Sequence, residues 1–152
     1  MEVRKVSVSD LDIFVEAYKK AYRGLENYAY RDEKSVKNYF KWLLKRDPEG
    51  FMVAEDSKSV LGFVACDINW ISIFEMHRVG EIHEIFVLPE FRNRGIGSKL
   101  LENAIEYAKS RGRKVVELWV GKENYLAIKF YEKHGFISKE ELGKWLRMKR
   151  DI

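Results

Sequence analysis

The stretch that most limits what this chain can become is residues 80–97, GEIHEIFVLPEFRNRGIG. Ile82, Ile85, Phe86 and Val87 are apolar and mostly branched or aromatic, which is strand composition. Pro89 ends the strand, because proline has no N–H for the ladder. The turn Arg92-Asn93-Arg94-Gly95-Ile96-Gly97 follows, and a helix is predicted over 98–111. Its apolar face is Leu100, Leu101, Ala104, Ile105 and Ala108, and Gly112 supplies a left-handed cap. A buried strand thus feeds a short basic turn, and the turn feeds a helix N-terminus. Free backbone N–H groups, the positive end of a helix dipole and two arginines meet there. The combination suits a pyrophosphate. A side chain at Gly95 or Gly97 would hold the backbone away from such a ligand.

The rest of the chain arranges itself around this unit. Residues 114–120, KVVELWV, read as a strand buried on both faces. Strand, helix and strand in this order predict a right-handed crossover and a parallel pair. Upstream, a short strand is predicted at 3–6. Capping residues follow at Ser7 to Asp10, with Asp12 three after Ser9. A helix over 11–22 carries Leu11, Phe14, Val15, Tyr18, Ala21 and Tyr22 at helical spacing. The connection RGLENYAYR, 23–31, leads to a helix over 32–45 with Val36, Tyr39, Phe40, Leu43 and Leu44 as its stripe. Strands at 51–55 and 60–71 read as an antiparallel hairpin. Downstream, a helix over 125–133 ends at Gly135. A strand begins at 136–138, a turn lies at 140–143, and a last strand spans 145–148. Repeats, low-complexity tracts and linkers are lacking, so one α/β domain over 1–152 is expected.

Composition narrows the function classes. The net charge is +4, from 28 basic and 24 acidic residues, so a solvated mixed surface is expected rather than a nucleic-acid face. No apolar run approaches the ~20 residues of a membrane span, and MEVRKVSVSD lacks a signal-peptide core. A cytoplasmic protein with no membrane partner is the expectation. Cys66 stands alone, and His77, His83 and His134 lack ligand spacing, so no metal is expected. Gln and Thr are absent while Lys, Arg and Glu abound, a composition that leans towards a thermophilic source.

Arg92-Asn93-Arg94-Gly95-Ile96-Gly97 resembles the Arg/Gln-x-x-Gly-x-Gly/Ala signature of the GCN5-related N-acetyltransferases, the GNAT family. Ile85-Phe86-Val87-Leu88-Pro89 resembles the strand before that signature. Asn124 with residues 127–136, AIKFYEKHGF, resembles the family's second motif. The turn does not resemble a dinucleotide fingerprint, because Leu100 stands where the third glycine belongs. The likeness implies an α/β (α+β) fold with a mixed sheet of about seven strands and about four helices, two of the strands parallel and splayed around acetyl-CoA. It implies acetyl transfer from acetyl-CoA, as cosubstrate, to an amine, with a homodimer allowed.

Such chemistry requires a grip on the cofactor, a neutral amine, a donor for the oxyanion and a proton for the leaving thiolate. The amides from Arg94 to Ser98, through Gly95, Ile96 and Gly97, are placed to cradle a pyrophosphate, with charge from Arg92 and Arg94 and a neighbour in Asn93. By resemblance, the splayed strands are 85–87 and 118–120, so Ile85, Phe86 and Val87 line the pantetheine arm. An N–H near Phe86 or Val87 faces the thioester oxygen. An alkyl amine arrives mostly protonated, with a pKa near ~10.4. Glu84 and His83 are the candidates to take its proton, and the choice between them stays open. Side chains on a regular strand alternate, so only one of the two reaches the site unless a bulge intervenes. In polyamine acetyltransferases, which the strand and 141–149 faintly resemble, two carboxylates occupy these positions; here His83 replaces the first. Tyr131 matches the family's acid for the thiolate, against a packing role for an amphipathic tyrosine. Asn124 is placed to hold the pantetheine arm or to cap the next helix. Glu26, Tyr28, Tyr30 and Glu75 are candidates to hold a cationic amine. The acceptor is a small polyamine-like amine or a protein amine. The rival readings are a non-catalytic acyl-CoA-binding module and a nucleic-acid-binding domain.

Overall fold

The computed structural model describes residues 1–152. A seven-stranded sheet runs β1 (Glu2–Lys5), β2 (Phe51–Glu55), β3 (Val60–Ser72), β4 (His77–Val87), β5 (Val115–Gly121), β7 (Trp145–Asp151), β6 (Ile137–Leu142) across its width. β4 and β5 pair parallel, as the strand–helix–strand pattern requires, and every other neighbouring pair is antiparallel. Four helices cover the sheet: α1 (Leu11–Ala21), α2 (Glu33–Arg46), α3 (Ile96–Ser110) and α4 (Tyr125–Lys133). The mixed sheet, four helices and splayed parallel pair are the fold class that the sequence implied.

The two faces have different chemistry. α1 and α2 close one face over a core centred on five phenylalanines, Phe14, Phe40, Phe51, Phe63 and Phe86, with Val, Ala and Leu around them. Phe14 is fully buried, with the other four rings at 5.1–5.8 Å between centroids. Burial of such a side chain contributes about 2–3 kcal/mol, and the tilted and edge-on geometries add to it. α3 and α4 close the other face with aliphatic residues: Leu100, Leu101, Ala104 and Ile105 against Val64, Ile82, Val116 and Leu118. No helix is long and apolar enough to cross a membrane.

β4 begins at His77 and β7 runs on to Asp151, both longer than the sequence pattern suggested, and three further details differ for a local reason. α3 starts at Ile96, two residues early, because Gly95 takes a left-handed conformation (φ 79°) and turns the chain into the helix at once. The first cap is set by Ser7 and Asp10, not by Ser9 and Asp12. The Asp10 carboxylate accepts from the Ser7 N–H at 2.8 Å and also holds Arg4 at 2.9 Å, so the ion pair decides which carboxylate turns inward. β6 continues through 140–142 to Leu142, because pairing of Glu141 and Leu142 with β7 holds the segment extended up to Gly143.

Candidate active site

β4 and β5 are hydrogen-bonded neighbours only from Gly80–Val116 to Ile82–Leu118. Beyond that rung β4 runs on to Val87 and β5 to Gly121 without a ladder between them. The strands splay, and the opening forms part of a cleft of about 1300 Å³ that reaches both faces of the sheet. Ile82, Ile85, Phe86, Val87, Leu118 and Val120 line its waist.

At the α3 end the walls include Phe91, Arg92, Asn93, Gly95, Ile96, Gly97 and Ser98. The first backbone bond of α3 runs from the Lys99 N–H to the Gly95 carbonyl at 3.1 Å. The N–H groups from Arg94 to Ser98 donate to no carbonyl of the chain. Asn93 (φ 63°) and Gly95 are both left-handed, which turns successive amides towards one side. The result is a donor-rich concavity at the positive end of a fifteen-residue helix. Arg92 is already engaged: it donates to the Val87 carbonyl at 3.2 Å and to the Ala21 carbonyl at 3.0 Å, tying α1 to the end of β4. Arg94 lies outside the cleft walls, its guanidinium 5.6 Å from the centre of the Phe91 ring.

On the opposite face, β4 carries a bulge. Ala65 opposes Glu84 and Cys66 opposes Ile82, so His83 has no partner residue. The extra residue breaks the alternation, and His83 and Glu84 both face α1 and α2. Glu84 is 6% exposed. Its carboxylate accepts from the Tyr39 hydroxyl at 2.9 Å and from the Tyr22 hydroxyl. Burial pushes its pKa up to about 7, with the two tyrosine bonds pulling the other way. His83 is wedged edge-on between Trp42 and Trp70, at 4.7 and 4.9 Å between ring centres. Its Nε2 lies 2.9 Å from Asp67, which also accepts from Arg46 at 2.7 Å. Burial works against the Asp67 charge, but these two partners hold its pKa below the usual value.

Tyr131 projects from α4 into the waist and is 8% exposed. Its hydroxyl bonds to nothing in the chain, and the one sealed side-chain polar atom without a partner is Glu81 Oε1. The Tyr131 hydroxyl therefore opens onto the cleft. Burial, then the Glu84 charge, raise its pKa, which keeps the proton on the phenol. Asn124 lines the cleft and caps α4 as well, accepting from the Ala127 N–H at 3.4 Å.

Of the residues expected at the acceptor, Tyr28 and Tyr30 line the cleft. Glu26 and Glu75 do not. Glu26 folds back on the Gly24 N–H at 3.0 and 3.1 Å. Glu75 is held by Arg147 at 2.9 Å and Lys149 at 3.2 Å. Residues absent from the sequence expectation of the site are Tyr22, Tyr39, Asp67, Lys144 and Trp145. Tyr22 and Tyr39 read as members of apolar helical stripes. Their one distinguishing signal is the hydroxyl, which needs a partner when buried. Both were also too far from Glu84 in sequence to be paired with it.

Several comparisons bear on this cleft. Residues 11–136 match the model of the acetyltransferase (GNAT) family. An uncharacterized N-acetyltransferase of Archaeoglobus fulgidus is 63% identical over 131 residues, which cover 86% of this chain and 89% of that protein. A crystal structure of a protein from Pyrococcus horikoshii OT3 superposes with a TM-score of 0.89 at 35% identity, covering 99% of this chain and 98% of that one. The PaiA N-acetyltransferase of Thermoplasma acidophilum, solved in complex with coenzyme A, superposes with a TM-score of 0.82 at 22% identity, over 99% of this chain and 98% of that one. That last likeness is one of fold.

Proposed function

The chain belongs to the GNAT acetyltransferase family, and from that premise we propose that it transfers acetyl from acetyl-CoA to a primary amine by direct attack in a ternary complex, residues 1–152 acting as one catalytic domain. The carrying observation is the cleft itself. It joins unpaired amides at the α3 N-terminus, on one side of the splayed strands, to the buried Glu84 carboxylate on the other. A cosubstrate held by its pyrophosphate at the first end reaches the waist between β4 and β5. An amine entering from the second end meets it there.

The residues divide the work as follows. The amides of Arg94, Gly95, Ile96, Gly97 and Ser98 hold the pyrophosphate, and Asn93 shapes their loop. Ile85, Phe86, Val87 and Asn124 line the pantetheine arm. The unladdered edge of β4 near Phe86 and Val87 supplies an N–H to the developing oxyanion. Glu84 takes the amine proton, directly or through water. A carboxylate with a pKa of about 7 is matched to this task, since a large fraction of it is ionised at neutral pH and it is basic enough to accept. Tyr22 and Tyr39 fix its orientation. Tyr131 gives its proton to the departing sulfur. Direct attack is supported by the state of Cys66: it is buried in the core on the α3 face of β3, away from the cleft walls, and burial raises its pKa, so it holds a proton and has no access to a thioester.

The test is release of free CoA from acetyl-CoA, followed across a panel of primary amines. Amine-dependent release supports the transferase reading. Tight CoA binding without release on a broad panel favours a binding module instead. Two variants probe the roles. Tyr131→Phe is expected to lower turnover by roughly a hundredfold with little change in CoA affinity. Unchanged turnover removes Tyr131 as the acid. His83→Ala is expected to cost less than about tenfold and to keep the acid limb of the pH–rate profile near pH 7, because that limb belongs to Glu84. Loss of the limb in His83→Ala transfers the base to the imidazole.

A further inference from the structure

We propose that the acceptor half of the cleft selects an amine that carries an apolar group and no second cation, and that Lys144 enforces the exclusion. The inference rests on the transferase reading and concerns which amine that site takes.

The acceptor walls are Tyr28, Tyr30, Trp119, Leu142 and Trp145, and Lys144 is the one freestanding cation among them. Lys144 sits in the turn between β6 and β7. Its Nζ donates to the Asn27 carbonyl and lies 5.9 Å from the centre of the Tyr28 ring and 5.7 Å from that of Trp145. These two faces would be the natural cradle for a second ammonium. A cation of the chain already occupies them. Tyr28 has no freedom to turn elsewhere: its ring lies on the backbone of Gly121, where a Cβ would collide with it, and packs 5.4 Å from Trp145.

The carboxylates that line the cleft are Glu81 and Glu84. Glu117 is neutralised by Arg147 at 2.5 Å and by a bond from Ser72 at 2.7 Å. Burial and the neighbouring Glu117 push the Glu81 pKa well above its ordinary value, which disfavours a charge on it where it lines the cleft. Asp67 is committed to Arg46 and His83 and Glu75 to Arg147 and Lys149, and neither these two nor Glu26 lines the cleft. Glu84 remains, and the reacting amine uses it. A diamine would therefore place its second ammonium among ring faces already holding a positive charge, with no counter-charge in the cleft wall beyond Glu84.

Hexylamine and 1,6-diaminohexane make the test, because they match in length and differ by one terminal ammonium. The wild-type protein is expected to use hexylamine with a kcat/KM at least about tenfold higher, the difference lying in KM. Lys144→Glu is expected to close most of that gap, and Lys144→Met part of it. Wild-type preference for the diamine, equal use of both, turnover of neither, or a gap unchanged in both Lys144 variants overturns the inference. If Lys144→Glu fails to fold, the wild-type ratio and Lys144→Met decide. Acetyl-CoA consumption with other amines but with neither of these two overturns the selectivity alone. Consumption with no amine overturns the transferase reading as well.

Discussion

Glu84→Gln is expected to be nearly inactive and, above pH 7, more stable than the parent protein. The activity loss should be roughly a thousandfold in kcat, the scale of a general base, because glutamine fits the same space and cannot accept the proton. The stability gain follows from the raised carboxyl pKa. Below its ordinary value of 4.5 the side chain is protonated folded and unfolded, and burial costs it no charge. Between 4.5 and about 7 the unfolded chain releases the proton while the folded chain keeps it, so folding loses stability as pH rises. Above about 7 both states are ionised, and the net cost of burying the charge stands in full, about 3–4 kcal/mol at ~1.4 kcal/mol per pKa unit. Glutamine carries no such penalty. Tyr39 keeps a second acceptor in the His83 carbonyl at 3.0 Å, so the amide need not strand a hydroxyl. Urea unfolding at pH 4.5 and pH 8 is the check: the two proteins should nearly coincide at the lower pH and separate at the higher. A Glu84→Gln protein that keeps the wild-type acid limb removes the carboxylate as base.

Gly97→Trp is expected to abolish CoA binding, by more than about a hundredfold in Kd, while leaving the fold in place. A Cβ at Gly97 would stand 3.5 Å from Phe130 and 3.7 Å from Val87, which is ordinary contact. Alanine therefore fits there and should bind CoA with modest loss. An indole does not fit between those walls. It must extend into the cleft, where it would cover the unpaired amides of α3. Gly95 fails for another reason. Its Cβ would meet nothing within 4 Å, but its φ of 79° penalises any side chain, by about 1 kcal/mol. Gly97→Trp thus separates blocked access from backbone strain. Retained CoA affinity in a folded Gly97→Trp protein overturns the pyrophosphate assignment; circular dichroism and calorimetric titration read the two properties independently.

The donor half of the site was legible because its chemistry is local. The unpaired N–H groups of residues 94–98 are adjacent in sequence, and Gly95 and Gly97 mark where the backbone must turn or stay bare. Tyr131 and Asn124 were legible for the same reason, each within a short motif on one helix. The acceptor half was not. Glu26 and Glu75 had the right charge for an amine, but their oxygens are taken by an N–H two residues away and by cations more than seventy residues away. Tyr22 and Tyr39 looked like packing residues, and each meets Glu84 only because α1 and α2 lie against β4.

The sequence by itself determined the parallel pair, the helix between its strands and the amide cradle at its turn. Hydrophobic periodicity, proline and glycine act within a few residues of where they stand. Tertiary structure alone decided which way His83 and Glu84 face. The expectation that one of them would turn away holds for a regular strand, and the bulge opposite Ala65 and Cys66 places both on the same face. Their surroundings were likewise set from afar: burial beneath α1 and α2 raises Glu84 to about 7, and Asp67 and two tryptophans hold His83 in place. Register and desolvation come from residues distant in the chain, and neither is written in the local pattern.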